Sequence, residues 1–385
     1  MSSENSASEI FNSIPSELLK FDRIFIHKDC WESEVAKRFK RLFAKSQIQK
    51  VDSEPFADST YKGTLTKSDF DRSKKNIYIC NFKGEFFKKC PGAHKRMACC
   101  NYFVLNLGLQ CNMNCSYCYL QSFINTPVMT IYANIDQALR ELDELVSDFK
   151  GMSVRIGTGE VIDSLSLDPL TLYSKSLIEF FRTRPNLLLE FKTKSDYVDQ
   201  FLDVPHARNV IVSWSINPQN IIEAEEHGTA CLTARVQAAL KCVQKDFRLS
   251  FHIDPVIWHP EWQMNYGELV DLICDTFNPK DIPYISLGAL RFQTEQRYIM
   301  KERFGMNSLV NSAEMFVGRD GKLRYDQDVR NQMFKFIIDR FKAHDPKWNV
   351  FLCMESPETW LATFEATPRK VEGLEDLFSP RHLQP

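Results

Sequence analysis

From Tyr102 onward, short apolar runs alternate with longer stretches of helical period, and this alternation constrains the fold more than any other feature of the chain. Strand-like runs fall at 103–107, 153–156, 187–191, 210–214, 249–253 and 284–287. Helical stretches fall between them at 135–149, 170–182, 230–243 and 266–276, with Leu170, Ser174, Leu177 and Phe181 marking one inward face. Parallel strands need crossovers long enough to hold a helix, so the pattern predicts βα units and an α/β fold around a parallel sheet. Six such strands predict an open, partial (β/α)6 barrel of the TIM type, with the chemistry on loops that follow the strand C-termini.

The flanks divide the chain further. Residues 1–14 are polar and Ser-rich, which predicts a disordered N-terminus. Residues 15–100 predict a small αβ unit. It has a strand at Arg23-Ile24-Phe25-Ile26, a helix with Trp31, Val35, Phe39 and Phe43 at four-residue spacing, and a second strand at Asn76-Ile77-Tyr78-Ile79. The barrel is expected over 101–295. Residues 296–385 form a C-terminal extension, in which Val329, Met333, Ile337 and Phe341 share a helix face before a charged, proline-containing tail from about Ser356.

The near balance of 48 Lys and Arg against 50 Asp and Glu lacks the basic excess of a dedicated DNA-binding domain, while leaving room for a local basic groove. With neither a signal-peptide pattern nor an apolar run long enough to span a bilayer, the chain reads as soluble and cytoplasmic, with no membrane partner. Twelve cysteines in such a chain point to metal or redox chemistry rather than disulfides. Six of them fall between Cys90 and Cys118.

Gln110-Cys111-Asn112-Met113-Asn114-Cys115-Ser116-Tyr117-Cys118-Tyr119 brings three thiols into one loop. Cubane clusters usually take four cysteines. Three ligands therefore leave one iron of a [4Fe–4S] cluster open, as catalytic zinc keeps an open position. S-adenosylmethionine (SAM) can chelate that iron through its amino and carboxylate groups, and an electron from the cluster then cleaves the sulfonium. The competing reading is a closed structural zinc site with Cys90, Cys99 or Cys100 as fourth ligand.

The spacing Cys111-x₃-Cys115-x₂-Cys118 between tyrosines matches the radical SAM signature, and the following Leu120-Gln121 resembles the spore photoproduct lyase family. The likeness continues in collinear order over roughly residues 102–292. It runs through Lys192-Thr193-Lys194-Ser195-Asp196, Ser213-Trp214-Ser215-Ile216-Asn217-Pro218, Glu226-His227-Gly228-Thr229-Ala230, Arg235 and Phe251-His252-Ile253-Asp254-Pro255. This resemblance implies a radical SAM barrel in which Tyr117 and Tyr119 flank the cluster as catalytic residues. It further implies that Lys194, Ser215 and Asn217 contact SAM from strand ends. Gly157-Thr158-Gly159-Glu160 resembles the Gly-Gly-Glu element that takes SAM's ammonium: a carboxylate suits the cation and the glycines let the backbone approach.

Cys90-Pro91, Cys99-Cys100 and Tyr102 form a second thiol-rich patch, read either as packing or as functional thiols or auxiliary metal ligands. His227, His252 and His259 receive no catalytic role.

The expected activity is reductive cleavage of SAM to a 5′-deoxyadenosyl radical that abstracts hydrogen from an unidentified substrate, with electrons from a donor such as flavodoxin or ferredoxin. One alternative is thymine-dimer repair of the spore photoproduct type, with DNA as substrate. The other is a non-catalytic, zinc- or cluster-stabilised binding module. The family's hydrogen-returning cysteine, shortly after the second barrel strand, has no counterpart here, because no cysteine occurs between Cys118 and Cys231.

Overall fold

The computed structural model describes residues 14–56, 65–92, 97–148, 153–374 and 377. The disorder expected for 1–14 concerns residues outside these, Ile14 excepted.

The N-terminal unit begins with β1 (Arg23–His27), α1 (Glu34–Leu42) and β2 (Ile48–Val51), followed by α2 (Lys67–Ser73) and β3 (Asn76–Cys80). Ser33 caps α1 by accepting from the Ala36 amide, and Val35, Ala36, Phe39 and Leu42 bury one face. The expected helix is shorter than its apolar spacing: Trp31 precedes it and Phe43 is its C-terminal cap.

The barrel sheet starts at β4 (Phe87–Lys89) and β5 (Tyr102–Leu105), after which β6 (Gly108–Leu109) and β7 (Met129–Tyr132) return to the N-terminal unit. Its five-stranded sheet has the order β2-β1-β3-β7-β6. Then come α3 (Ile135–Asp148), β8 (Val154–Gly157), α4 (Tyr173–Arg182), β9 (Leu187–Thr193), β10 (Val210–Ser215), α5 (Leu232–Gln244) and β11 (Arg248–Val256). The series closes with α6 (Trp262–Thr276), β12 (Ile285–Ala289), α7 (Gln296–Phe304), α8 (Gln327–His344) and β13 (Val350–Leu352). The eight-stranded sheet has the order β13-β12-β11-β10-β9-β8-β5-β4, parallel throughout except for β4 against β5.

All six expected strands are present and consecutive in this sheet. Strands of a parallel sheet are buried on both faces, which is why they read as continuous apolar runs; every residue of β8 and β10 is buried. The sheet curls. Arg155 on β8 lies 4.8 Å from the ring of Tyr284, which directly precedes β12. Four strand spacings in a flat sheet would separate them by about 19 Å. The architecture is thus an α/β, partial TIM-type barrel beside a small αβ unit.

The sheet reaches beyond the expected 101–295 segment at both edges, through β4 and β13. Strands of three residues are too short to show a period. The expected helix 170–182 is interrupted at Leu172, whose left-handed φ of 56° separates a single turn, Asp168–Thr171, from α4. Leu170 consequently packs into the N-terminal core, while Leu177 and Phe181 pack into the barrel core. In the C-terminal segment, Pro357–Phe364 forms one more helix, capped by Ser356, where the sequence reads as tail. Among the described residues no helix is long and apolar enough to cross a membrane.

Candidate metal and cofactor site

Successive strand ends carry the candidate residues to one rim. The cysteine loop follows β5, Thr158–Glu160 follow β8, Lys194 follows β9, and Ser215 ends β10 with Asn217 just beyond. This is the end at which barrel enzymes place their chemistry.

The loop is fixed from several directions. Gln110 enters it with a left-handed φ of 73°; its amide donates to the Val161 carbonyl at 2.9 Å, and its buried side chain donates to Ser73 Oγ at 2.6 Å. Asn114 and Cys115 pair antiparallel with His227 and Glu226. Arg303 on α7 reaches Asn114 Oδ1 at 2.7 Å and Gln121 Oε1 at 2.6 Å. Glu225, wholly buried, accepts from the Ser116 hydroxyl, from Ser308 Oγ at 2.7 Å and from the Leu309 amide at 2.5 Å.

Cys115 is buried; Cys111 and Cys118 are half-buried. Burial pushes the Cys111 thiol up to about 11, with Asp163 adding to the rise and Lys74 opposing it. Burial also raises the Cys115 thiol, and there Lys194 is the leading opposing charge. Cys118 acts on both thiols, so the three sit within electrostatic reach of one another. Among the described residues no three His, Cys, Asp or Glu side chains converge as ligands of a single ion. A cubane imposes a different requirement, since its cysteines bind separate irons. Three half-buried to buried thiols on one loop, with cationic Lys74 and Lys194 beside them, suit that donor set.

Lys194 lies over the Tyr117 ring, with its ammonium 5.8 Å from the centroid. Asp163 holds the Lys194 backbone amide at 2.8 Å and the Thr193 hydroxyl at 2.7 Å. The Tyr117 hydroxyl donates to Glu226, while Tyr119, 42% exposed, donates to the Glu160 carbonyl at 2.9 Å. The Glu160 carboxylate accepts from Asn106 Nδ2 at 3.0 Å and forms no ion pair among the described residues. Its glycines serve contacts within the protein: a Cβ on Gly157 would strike the Tyr102 hydroxyl, and one on Gly159 would lie 2.6 Å from the Lys192 carbonyl.

The Asn217 amide is committed internally, donating to Glu226 at 3.0 Å and accepting from the Tyr266 hydroxyl at 3.0 Å. The Ser215 carbonyl accepts from Arg235 at 2.8 Å. Burial opposes ionisation of Glu226, but Arg235 and then Lys194 overcome it and hold the carboxyl at about 2. Glu226 is thus the centre of a network to which sequence reasoning assigned no role, although Glu226 and Arg235 both lie in the collinear stretches. Asp163, Lys74 and Arg303 carried no sequence signal, because they arrive from other elements.

Of the histidines, His252 contacts Glu190 at 2.7 Å, His259 bonds the Ile257 carbonyl and Asn265, and His227 stacks on Phe304. In the second thiol patch, Cys90 Sγ accepts from the Gly92 amide at 3.4 Å and Cys100 Sγ from Arg155 at 3.0 Å. Burial raises the Cys90 thiol, with Cys99 and Glu160 among its neighbouring charges.

The family profile described as spore photoproduct lyase matches residues 92–350. Spore photoproduct lyase of Geobacillus sp. (strain Y412MC61) is 26% identical over 210 residues, covering 54% of this chain and 62% of the relative. That of Bacillus subtilis (strain 168) is 30% identical over 173 residues, covering 45% and 50%. The chain therefore spans about half to three fifths of these two relatives. The Clostridium acetobutylicum protein is 22% identical over 331 residues, covering 84% and 96%. Among solved structures, spore photoproduct lyase complexed with dinucleoside spore photoproduct superposes with a TM-score of 0.75 at 19% identity, covering 87% of this chain and 99% of that one. A variant with bound AdoMet and dinucleoside spore photoproduct gives 0.74 at 20%, covering 86% and 98%. At these identities the structural likeness concerns the fold alone.

Proposed function

The chain belongs to the spore photoproduct lyase family, and from that premise we propose that it is a radical SAM enzyme whose cluster is held by Cys111, Cys115 and Cys118. The single observation carrying this reading is the placement of these three thiols on one braced loop at the C-terminal rim of the curled sheet, with Lys194 and Glu160 on the neighbouring strand ends. When bound, the cluster and SAM supply reductive cleavage of the sulfonium and a 5′-deoxyadenosyl radical that takes hydrogen from the substrate.

The chain's own residues bind and orient. Glu160, free of an internal cation among the described residues, takes the SAM ammonium. Lys194 offers its charge to the carboxylate, and Ser215 lines the adjacent strand end. Tyr117 and Tyr119 flank the third cysteine, the first tied inward to Glu226 and the second outward to the Glu160 turn. Asn217 acts through Glu226. A one-electron donor such as flavodoxin or ferredoxin completes the reaction.

A second reading is repair of the spore photoproduct itself, favoured by the dinucleoside bound to the family's solved structures. Against it stand the absence of a cysteine between Cys118 and Cys231 and the balanced charge. Anaerobic reconstitution followed by an assay for 5′-deoxyadenosine with dithionite tests the leading reading. Wild type is expected to form it, and Cys111→Ser, Cys115→Ser and Cys118→Ser each to lose it together with most of the bound iron. Full iron and full SAM cleavage in any one serine variant would overturn the ligand assignment.

A further inference from the structure

The cation nearest the cysteine loop comes from outside the barrel. Lys74 directly follows α2 of the N-terminal unit, and its ammonium donates to the Cys111 carbonyl at 2.8 Å and to the Met113 carbonyl. Phe70, one turn earlier on α2, packs in a small apolar cluster with Leu120, Ile124 and Val161 against which Cys111 and Cys118 rest. The ammonium also stands 4.8 Å from the Phe70 ring centroid. The neighbouring Arg303 has its own counter-ion, Asp71 at 2.5 Å, whereas Lys74 forms no ion pair among the described residues.

Two backbone carbonyls can be satisfied by any neutral donor. Lys74 is half-buried, and an ammonium withdrawn from water without a carboxylate beside it is costly unless an anion compensates it. Burial lowers Lys74, and the groups that oppose this are the three cysteines, which become thiolates when they ligate iron and together with the cluster carry net negative charge.

We propose that Lys74 is an electrostatic positioning residue for the cluster: its charge favours the reduced, more negative state and so raises the reduction potential. The inference rests on the function proposed above. Net charge, hydrogen bonding and solvent exposure set the potentials of such clusters, and Coulomb interactions are strong where water is excluded. The N-terminal αβ unit then has a part in the chemistry through α2, although it contributes none of the cysteine ligands.

The test is an EPR-monitored redox titration of the reconstituted full chain, comparing wild type with Lys74→Arg, Lys74→Met and Lys74→Gln. Glutamine keeps a donor for the carbonyls but not the charge, so it separates bonding from electrostatics. At a fixed applied potential the uncharged variants should show a reduced-to-oxidised ratio about ten-fold lower, equivalent to about 59 mV for one electron. Lys74→Arg should stay within about two-fold of wild type. A loaded methionine or glutamine variant that titrates with wild type overturns the proposal. So does failure of both to load iron while arginine loads, because the charge would then serve assembly. A wild-type chain without a [4Fe–4S] signal would instead defeat the proposed function.

Discussion

Glu226 and Arg235 form an ion pair at 2.6 Å with both side chains wholly buried, directly beside the strand pairing that holds Cys115. Arg235 also donates to the carbonyls of Ala230 and Ser215 and to the Thr229 hydroxyl, while Glu226 receives Tyr117 and Asn217. The pair thereby ties the cysteine loop to the end of β10 and the start of α5.

Removing one partner of a buried pair leaves an uncompensated charge, which typically costs about 3–5 kcal/mol. Arg235→Met should therefore destabilise the chain by about that much in urea, and the double variant Arg235→Met/Glu226→Leu should recover part of the loss. A double variant no more stable than the single one would show that the neighbouring hydrogen bonds, not the unpaired charge, carry the effect.

Glu160 is the rim carboxylate proposed to hold the SAM ammonium, and charge-assisted hydrogen bonds contribute about 1.5–3 kcal/mol. Glu160→Gln should weaken SAM binding by about ten-fold or more while leaving the cluster's absorption unchanged. Its neutral amide can still meet Asn106, so folding is expected to survive. Equal SAM affinity in the two proteins would remove Glu160 from the site.

What the sequence disclosed, and what it did not, follows from how each feature is built. The six parallel strands were legible because burial on both faces leaves an apolar run, and the cysteine loop because its three thiols fall within eight residues. β13 was invisible at three residues, and Leu172 gives no composition cue for its left-handed turn. The supports of the loop were hidden for another reason. Lys74, Gln110, Glu225 and Arg303 are ordinary polar residues until tertiary structure brings them within about 3 Å of their partners. Asn217, expected at the cofactor, donates to Glu226 and accepts from Tyr266, which leaves its second amide hydrogen for another partner.

Within the barrel, Glu190 accepts from Ser213 at 2.6 Å and Tyr284 at 3.2 Å and contacts His252 at 2.7 Å, with Arg155 3.9 Å away. Burial opposes its ionisation, but the His252 hydrogen bond and the charges of His252 and Arg155 hold it at about 2, below its ordinary 4.5. Burial lowers His252 itself, and the hydrogen bond to Glu190 and the charge of Glu190 oppose that. A depressed carboxyl contributes stability that is complete above its unfolded value and lost as pH falls through the folded one. Glu190→Gln should therefore be much less stable than wild type at neutral pH, and the gap should narrow between pH 4.5 and about 2. Urea midpoints measured across that range check this; a constant gap would show that Glu190 acts only through packing.

In the family, a cysteine shortly after the second barrel strand returns hydrogen to the product radical, a task suited to a thiol because its S–H bond is weak. Here that stretch reads Thr158-Gly159-Glu160-Val161, and Val161 is buried against Phe70, Leu120 and Ile124 beside Cys111 and Cys118. Neither a valine nor a carboxylate can donate the atom. Cys90, Cys99, Cys100 and Cys353 are the other candidate thiols; of these Cys90 has Glu160 among its neighbouring charges, and burial raises its thiol. Given dinucleotide spore photoproduct, SAM and reductant, the wild-type chain should cleave SAM without clean conversion to thymidylyl-thymidine at a matching rate. Val161→Cys, which restores a thiol at that position, should raise whatever conversion occurs. Clean wild-type conversion would sink the substrate argument, and conversion that survives Cys90→Ala would remove Cys90 as the donor.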